Sequence, residues 1–283
     1  MLSNSSYVLA CDIGGTHITS AIVHTQRWEI VPSTLTRIHV NSLADAKSIF
    51  QTWAQAINSC ISTFDGQISQ IGIAMPGPFE YEKGISYMKN QNKYDALYEL
   101  QITSPLKNEL LYPTVDIRYI NDAAAFLQGE VFGRELSNAD CILGITLGTG
   151  LGSAVWNKGE KAFDADLWKD HYRESIFEEY LVTRWFTKRF YELSGMQESG
   201  LKDIIEKHLH TDACQQLLAE YSEQLYDFIH HFSQKHPCNH FIIGGNIAKA
   251  WDLINKKQDF SAFTINTPLY GEKAALIGAA SIF

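Results

Sequence analysis

Two similar segments lie about half a chain length apart. Residues 8–23 read VLACDIGGTHITSAIV, and residues 142–156 read ILGITLGTGLGSAVW. Each predicts an apolar strand, a tight turn rich in Gly and Thr, and a second apolar strand. Hairpins with glycine turns are common, so a single pair is weak evidence on its own. Similarity at half the chain length nevertheless favours two copies of one fold.

The remaining patterns agree with two α/β domains. A chain of 283 residues, 45% of them apolar, can fill two hydrophobic cores. We place the boundary after Asn121, so that residues 1–121 form an N-terminal domain and residues 122–269 a larger C-terminal one. A final helix at about 270–283 is expected to pack back on the first domain. Further strands are predicted over 28–31, 71–75, 115–120 and 240–243, and further helices over 42–57, 123–131, 177–190 and 214–232, the first of them capped by Ser42.

Charge and cysteine usage exclude several classes of protein. The net charge of −9 disfavours binding to nucleic acid or to an anionic membrane. No apolar run reaches the roughly 20 residues of a membrane span, and the first residues do not resemble a signal peptide, so we expect a cytoplasmic protein. The five cysteines include no close pair, which indicates neither a disulfide framework nor a Cys-x-x-Cys zinc site.

Both glycine turns are candidate phosphate sites. In the first, Gly14 and Gly15 let backbone N–H groups converge on an anion, Thr16 adds a hydroxyl, and Asp12 can hold a magnesium-bound water. The second, Gly148-Thr149-Gly150, fits neither a Walker A loop nor a dinucleotide-binding fingerprint. Each turn alone can equally be a plain hairpin turn. Two such turns facing each other would bind a polyphosphate from both sides.

Two strand-to-helix junctions carry further candidates. Gly244-Gly245-Asn246 leaves flat space for a nucleobase or ribose, although glycines at such a place can equally serve packing. Asn121-Asp122 follows a strand at the position where open sheets bind ligands. Asp122 can accept a hydroxyl proton during phosphoryl transfer, or it can simply cap the helix.

In their order along the chain, these motifs resemble the ROK family of sugar kinases, within the actin/hexokinase ATPase superfamily. The resemblance runs nearly end to end and rests on five motifs, with a closing helix at 272–280. The motifs are Asp12 to Thr16, Ala74 to Pro78 with its Pro-Gly-Pro turn, Asn121-Asp122-Ala123, Gly148 to Gly152, and Gly244 to Asn246.

The resemblance implies a glucokinase-like fold of two similar domains, each a mixed sheet flanked by helices, with the ligands in a cleft between them. It makes Asp122 the general base, and it places Asn121 and Gly77 beside the sugar. ATP is then the phosphate donor, with magnesium bridging its phosphates, and a homodimer is expected. The phosphates would lie on the two Gly-Thr turns, and the adenosine on the third glycine motif.

The sugar-binding half of the pattern departs from the family. The usual Glu-x-Gly-His motif and the cysteine-rich zinc loop that follows it are absent, so no structural zinc is expected. Asp166 can replace the glutamate, and His171 can replace the histidine, although a histidine among charged residues is more often solvated. Glu178 is a second candidate sugar carboxylate, with an exposed helix face as the alternative.

Three other functions remain open at this point. Altered sugar residues are compatible with a sensor that binds sugar without turnover. A ROK-type transcriptional regulator is disfavoured by the acidic chain and by the eleven residues that precede Asp12, too few for a DNA-binding domain. A kinase for another small polyol is the third alternative.

Overall fold

The computed structural model describes residues 6–283, and its long strands coincide with the predicted ones. The strands are β1 (Tyr7–Ile13), β2 (His17–His24), β3 (Glu29–Ile30), β4 (Thr36–His39), β5 (Gln70–Met75), β6 (Phe79–Glu80), β7 (Ile85–Ser86), β8 (Asp116–Asn121), β9 (Cys141–Leu147), β10 (Leu151–Asn157), β11 (Phe163–Asp164), β12 (His171–Tyr172), β13 (Ser175–Ile176), β14 (His240–Gly244) and β15 (Thr264–Asn266).

Along the chain, α-helices alternate with groups of these strands. They are α1 (Ala46–Ser62), α2 (Thr103–Asn108), α3 (Asp122–Gly133), α4 (Phe177–Leu181), α5 (Thr183–Ser194), α6 (Leu201–His208), α7 (Asp212–Lys235), α8 (Trp251–Ile254) and α9 (Ala274–Ala280).

The strands form two main sheets with the same internal path. The first runs β3-β2-β1-β5-β8, with β4 also paired to β2, and the second runs β11-β10-β9-β14-β15. In each sheet an antiparallel hairpin, β1/β2 or β9/β10, continues through two parallel neighbours. This shared path confirms the duplication predicted from the two similar segments.

The chain divides into two compact units, each built around one sheet. Among the described residues, the first contains 6–138, 159–163 and 272–283, and the second contains 139–158 and 164–271. The sequence-based boundary after Asn121 falls inside the first unit, because α3 packs there against α9. Helix α9 also contacts β1 and β5, so the end of the chain completes the first core.

Three helix predictions need correction. Asp45, not Ser42, caps α1, and its carboxylate accepts the N–H of Ser48 at 3.0 Å. The predicted helix over 177–190 is interrupted at Val182, whose extended backbone separates α4 from α5. The last helix spans only Ala274–Ala280 and is preceded by a 3₁₀ turn.

Candidate active site

The first glycine turn joins β1 to β2 and is held by backbone contacts. The N–H of Gly14 donates to the carbonyl of His17 at 2.9 Å, and Tyr94 Oη donates to the carbonyl of Gly14 at 2.6 Å. Thr16 is exposed, and its Oγ1 lies 3.0 Å from His17 Nδ1. The N–H groups of Gly15 and Thr16 have no hydrogen-bond partner within residues 6–283. The turn therefore presents two backbone donors that an anion can use.

Asp12 is the next-to-last residue of β1, just before this turn, and is half-buried. Burial, and after it the negative charge of Asp122, raise the pKa of Asp12 to about 7. Arg37 acts in the opposite direction, and Glu272 adds to the increase. Asp12 thus lies in an electronegative place that a cation would stabilise.

Asn121 and Asp122 make different contacts at the start of α3. Asn121 is buried and caps the helix, because its Oδ1 accepts the N–H of Ala124 at 3.1 Å. Asp122 is the first helical residue, and its Oδ1 accepts the N–H of Ala123 at 2.8 Å. The residue is exposed to solvent, yet desolvation by the surrounding protein raises the pKa of its carboxyl group. The positive charge of Lys93 lowers that pKa. The capping role that competed with catalysis therefore belongs to Asn121.

A tyrosine connects Asn121 to the Pro-Gly-Pro turn after β5. Tyr81 Oη donates to the carbonyl of Met75 at 3.1 Å and accepts from Asn121 Nδ2 at 3.1 Å. A Cβ at Gly77 would lie 3.5 Å from the same hydroxyl, and the Gly77-Pro78 peptide is cis. The structure thereby places Gly77 close to Asn121. Sequence reasoning missed Tyr81, because a tyrosine in a polar loop carries no distinctive pattern.

The second glycine turn, in the second unit, is braced by α4 and α5. Thr183 donates both its N–H (2.9 Å) and its hydroxyl (3.0 Å) to the carbonyl of Gly148. Glu178 Oε2 accepts the N–H of Leu151 at 3.0 Å, and its Oε1 pairs with Arg184 at 3.0 Å. Both oxygens of Glu178, predicted to contact sugar, therefore have protein partners.

The apex of this second turn is open. A Cβ at Gly148 would meet no atom within 4 Å, and Thr149 and Gly150 are exposed. The N–H groups of Thr149 and Gly150 have no partner in the described part of the chain. The two turns thus offer matching sets of unpaired N–H groups, one in each unit.

The third glycine motif lies against the strand that leads into the second turn. Gly245 has a φ of 91°, and a Cβ there would lie 2.2 Å from the carbonyl oxygen of Leu147. Only glycine fits such a contact. Asn246 is exposed, and its Oδ1 accepts Lys249 Nζ at 2.8 Å. The packing role of Gly245 is therefore visible, and a nucleotide role for Gly244, Gly245 and Asn246 stays a prediction.

Asp166 and His171, the predicted replacements for the family's sugar-binding glutamate and histidine, have other surroundings. Asp166 has a φ of 56° and pairs with Lys169. His171 is exposed on β12, and its side chain makes no hydrogen bond within residues 6–283. The sugar roles of Asp166 and His171 stay predictions.

No group of three or more His, Cys, Asp or Glu side chains within residues 6–283 is arranged to hold a metal ion. Over the same residues, no helix combines the length and apolar character that crossing a bilayer requires.

The family model described as "ROK family" matches residues 8–163, more than half of the chain. This chain belongs to the ROK family. The predicted family and the predicted fold class of two similar α/β domains are confirmed.

One relative of this ROK protein is the N-acetyl-D-glucosamine kinase of Haemophilus influenzae. The two are 24% identical over 153 residues, a segment that covers 53% of this chain and 45% of the relative. The chain thus matches less than half the length of that curated relative.

Solved structures of the ROK family share the fold over nearly the whole chain. A ROK family glucokinase from Streptomyces griseus, in complex with glucose and AMPPNP, has a TM-score of 0.74 at 17% identity and covers 98% of both chains. A ROK family transcriptional regulator, a homologue of the E. coli MLC protein, has a TM-score of 0.72 at 16% identity. That match covers 97% of this chain and 76% of the regulator. At these identities the likeness establishes the fold alone.

The contacts of Glu178 predict which substrate binds more weakly when its side chain is removed. Glu178→Ala leaves the N–H of Leu151 without its acceptor and removes one of the two carboxylates that pair with Arg184. Both losses loosen the second glycine turn. For the ATP-dependent sugar kinase that the sequence predicts, KM for ATP should rise about tenfold and KM for sugar should change less than about twofold, as for loss of one charge-assisted hydrogen bond. Steady-state kinetics with each substrate varied in turn would measure both constants.

Glu179→Ala is the matched control, because Glu179 pairs with Arg184 at 2.7 Å without contacting the turn. A rise in the sugar KM alone in Glu178→Ala would contradict the bracing role and restore Glu178 as a sugar ligand.

Proposed function

We propose that this chain transfers the γ-phosphoryl group of ATP to a hydroxyl of a hexose or N-acetylhexosamine. The observation that carries the proposal is the accessible carboxylate of Asp122. It lies in the same unit as the first glycine turn, and Asn121 has already taken the capping role. The identity of the curated relative supports an N-acetylhexosamine, and the glucokinase neighbour supports a hexose.

In the proposed reaction, Asp122 accepts the proton of the sugar hydroxyl as its oxygen attacks the γ-phosphorus. The bond from that phosphorus to the bridging oxygen breaks, and ADP leaves with the electron pair. Phosphoryl transfer of this kind needs alignment and charge neutralisation more than covalent catalysis. The unpaired N–H groups at Gly15, Thr16, Thr149 and Gly150 are donors suited to phosphate oxygens.

Asp12 is the proposed contact for magnesium, through a bound water. Its half-buried carboxylate, with Asp122 and Glu272 acting on it, suits a divalent cation, and the nucleotide phosphates would supply further oxygen ligands. Magnesium, when bound, neutralises charge on the phosphate oxygens.

On the sugar side, we propose that Asn121 and Gly77 position the hydroxyl that reacts. The Tyr81 hydroxyl joins Asn121 to the carbonyl of Met75, two residues before Gly77, and so supports both before substrate arrives. Asp166 and His171 are proposed as further sugar contacts on family resemblance. By the same resemblance we infer a cytoplasmic homodimer, which sedimentation analysis of the purified protein would test.

ADP release tests the proposed function. Purified protein receives ATP, magnesium and, one at a time, hexoses and N-acetylhexosamines. Release that depends on a particular sugar and disappears in Asp122→Ala supports the kinase. Release at equal rate without sugar would contradict it.

A sugar sensor is the second candidate, and the departures at Asp166 and His171 favour it. A sensor would gain thermal stability from a sugar, by an amount that depends on sugar concentration, and would release no ADP. A melting curve measured for each sugar therefore separates the two functions.

The raised pKa of Asp12 predicts that binding of the magnesium–nucleotide complex depends on pH. Because the proton and the cation compete for the same carboxylate, affinity should fall as pH drops below about 7, by up to about tenfold per unit, and level off above it. Calorimetric titration with magnesium and AMPPNP between pH 6 and 8.5 would measure this slope.

Two variants check the cause of this pH dependence. Asp12→Asn should remove it. Asp122→Asn should move the midpoint to lower pH, because it removes a negative charge that raises the pKa of Asp12. An unchanged midpoint in both variants would assign the titration to another group.

A further inference from the structure

Lys93 is a cation without a partner in a group of charges that are otherwise paired or crowded. It lies in the first unit, in the loop that precedes the 3₁₀ turn at Asp95–Leu97, and it is half-buried. It makes no hydrogen bond or ion pair within residues 6–283. By contrast, Arg37, the cation that acts on Asp12, is paired with Glu272 at 3.3 Å.

The position of the Lys93 side chain relates it to both the first glycine turn and Asp122. A Cβ built on Gly15 would lie 3.8 Å from Lys93 Cδ, so the aliphatic part of the lysine passes beside the turn. Lys93 is also the positive charge that lowers the pKa of Asp122, against the increase caused by desolvation from the surrounding protein. The ammonium group therefore acts at the side of the turn where the proposed base lies.

The loop that carries Lys93 is fixed by the fold. Asn90, Asn92 and Tyr94 all have left-handed backbones, with φ of 58°, 56° and 57°, a conformation that is uncommon for non-glycine residues. The N–H of Asn90 donates to a carboxylate oxygen of Asp95 at 3.1 Å. Surrounding contacts have to hold such a backbone in place.

Tyr94 supplies most of those contacts. Its side chain is fully buried, its ring packs against Trp53 at 5.4 Å, and its N–H donates to the carbonyl of Ser42 at 2.8 Å. Its hydroxyl donates to the carbonyl of Gly14, within the first glycine turn itself. The residue directly after Lys93 is thus anchored to the turn that Lys93 passes.

Charge decides what this lysine can do. Asp12, Asp122 and Glu272 are three carboxylates against the single guanidinium of Arg37, and a polyphosphate that approached them alone would be repelled. In phosphoryl transfer the transition state spreads negative charge over three equatorial oxygens. An unpaired lysine that passes beside the phosphate turn and whose charge acts on Asp122 is suited to stabilise that charge.

We propose that Lys93 binds the phosphoryl group that is transferred, between the first glycine turn and Asp122. This inference rests on the proposed kinase function. It assigns a catalytic contact to a residue that no recognised motif contains. A solvated lysine is the alternative, and it predicts no preference among nucleotides.

Nucleotide binding tests the proposal without requiring turnover. Calorimetry would compare magnesium–AMPPNP with magnesium–ADP in the wild type, in Lys93→Met and in Lys93→Arg. Lys93→Met should weaken AMPPNP by about ten- to a hundredfold, as for loss of a hydrogen bond to a charged group, and ADP by less than about threefold. Lys93→Arg should keep most of the AMPPNP affinity, because the charge remains.

Lys89→Met is the matched control. Lys89 lies four residues earlier in the same segment, is exposed, and has its Nζ 4.3 Å from the centre of the Tyr98 ring. Its removal changes net charge equally and should leave both affinities unchanged.

Several outcomes would overturn the proposal. The first two are an equal loss of AMPPNP and ADP affinity in Lys93→Met, and no change in either affinity. The others are a Lys93→Arg variant that binds AMPPNP as weakly as Lys93→Met does, and a wild type that binds neither nucleotide. A wild type that binds both nucleotides but phosphorylates no sugar would contradict the proposed kinase function alone. In that case the AMPPNP comparison still decides the role of Lys93.

Discussion

Asp122→Asn should fold normally, bind nucleotide and lose about 10²- to 10⁴-fold in kcat, the range expected for removal of a general base. Asparagine has the same shape, and its Oδ1 can still accept the N–H of Ala123, so helix α3 keeps its first contact. Only the ability to take a proton is removed. Initial rates of ADP release at saturating sugar and ATP would measure the change.

Asp116→Asn is the matched control for this variant. Asp116 begins β8, the strand that ends at Asn121, and it is exposed and paired with Arg118 at 3.1 Å. The control therefore removes a carboxylate from the opposite end of the same strand, and kcat should be unchanged. If Asp122→Asn keeps kcat within about tenfold, Asp122 is not the base.

Magnesium–nucleotide affinity in Asp122→Asn gives an independent readout. Loss of the Asp122 charge lowers the pKa of Asp12, so more Asp12 is ionised near neutral pH. Affinity at pH 6.5 should therefore stay equal or increase while kcat falls. A general loss of folded protein would reduce both quantities together.

The sequence predicted the two hairpins because their information is local. Apolar runs on both sides of Gly14-Gly15 and of Gly148-Thr149-Gly150 leave little alternative to a strand, a turn and a second strand. Local sequence alone is not enough to predict which residue caps a helix. Asn121 and Asp122 are both favourable N-cap residues, and so are Ser42 and Asp45, so composition alone could not choose between neighbours.

Contacts between residues far apart in the sequence could not be predicted. Glu178 reaches back 27 residues to the N–H of Leu151. The interruption at Val182 lets the N–H of Thr183 donate to the carbonyl of Gly148. No Gly or Pro in the sequence marks this interruption. Lys93 belongs to the run KNQNKY, which is typical of a solvated loop. Its position beside Gly15 depends on the left-handed residues around it and on the anchoring of Tyr94.

The close contact between α3 and α9 carries the second large prediction. The two helices meet at glycines on both sides: a Cβ at Gly129 would lie 1.8 Å from the carbonyl oxygen of Ala274, and one at Gly278 would lie 1.9 Å from that of Ala125. Strand β5 joins the contact, since a Cβ at Gly72 would lie 1.9 Å from the carbonyl oxygen of Ala279. Every opposing atom belongs to the backbone, which cannot rotate away as a flexible side chain can.

Gly278→Ala should therefore destabilise the protein, although alanine is the better helix former. Helix propensity favours alanine by about 1 kcal/mol, whereas forcing a methyl group into a filled core costs about 1–3 kcal/mol or more. At 1.9 Å the whole helix has to move, so we place the cost at the upper end and expect a net loss of about 2 kcal/mol or more in the free energy of unfolding. Urea denaturation followed by circular dichroism would measure it.

Gly200→Ala provides the comparison, because a Cβ at Gly200 would lie 3.6 Å from Thr183 Cγ2, an ordinary contact. Its effect on the free energy of unfolding should stay near 0.5 kcal/mol, as for a glycine replaced at a helix N-cap. Since Asp122 is the first residue of α3, movement of α3 away from α9 should also lower kcat in the folded fraction of Gly278→Ala. A Gly278→Ala protein as stable and as active as the wild type would show that the two helices separate at little energetic cost, and that their close contact does not hold Asp122 in place.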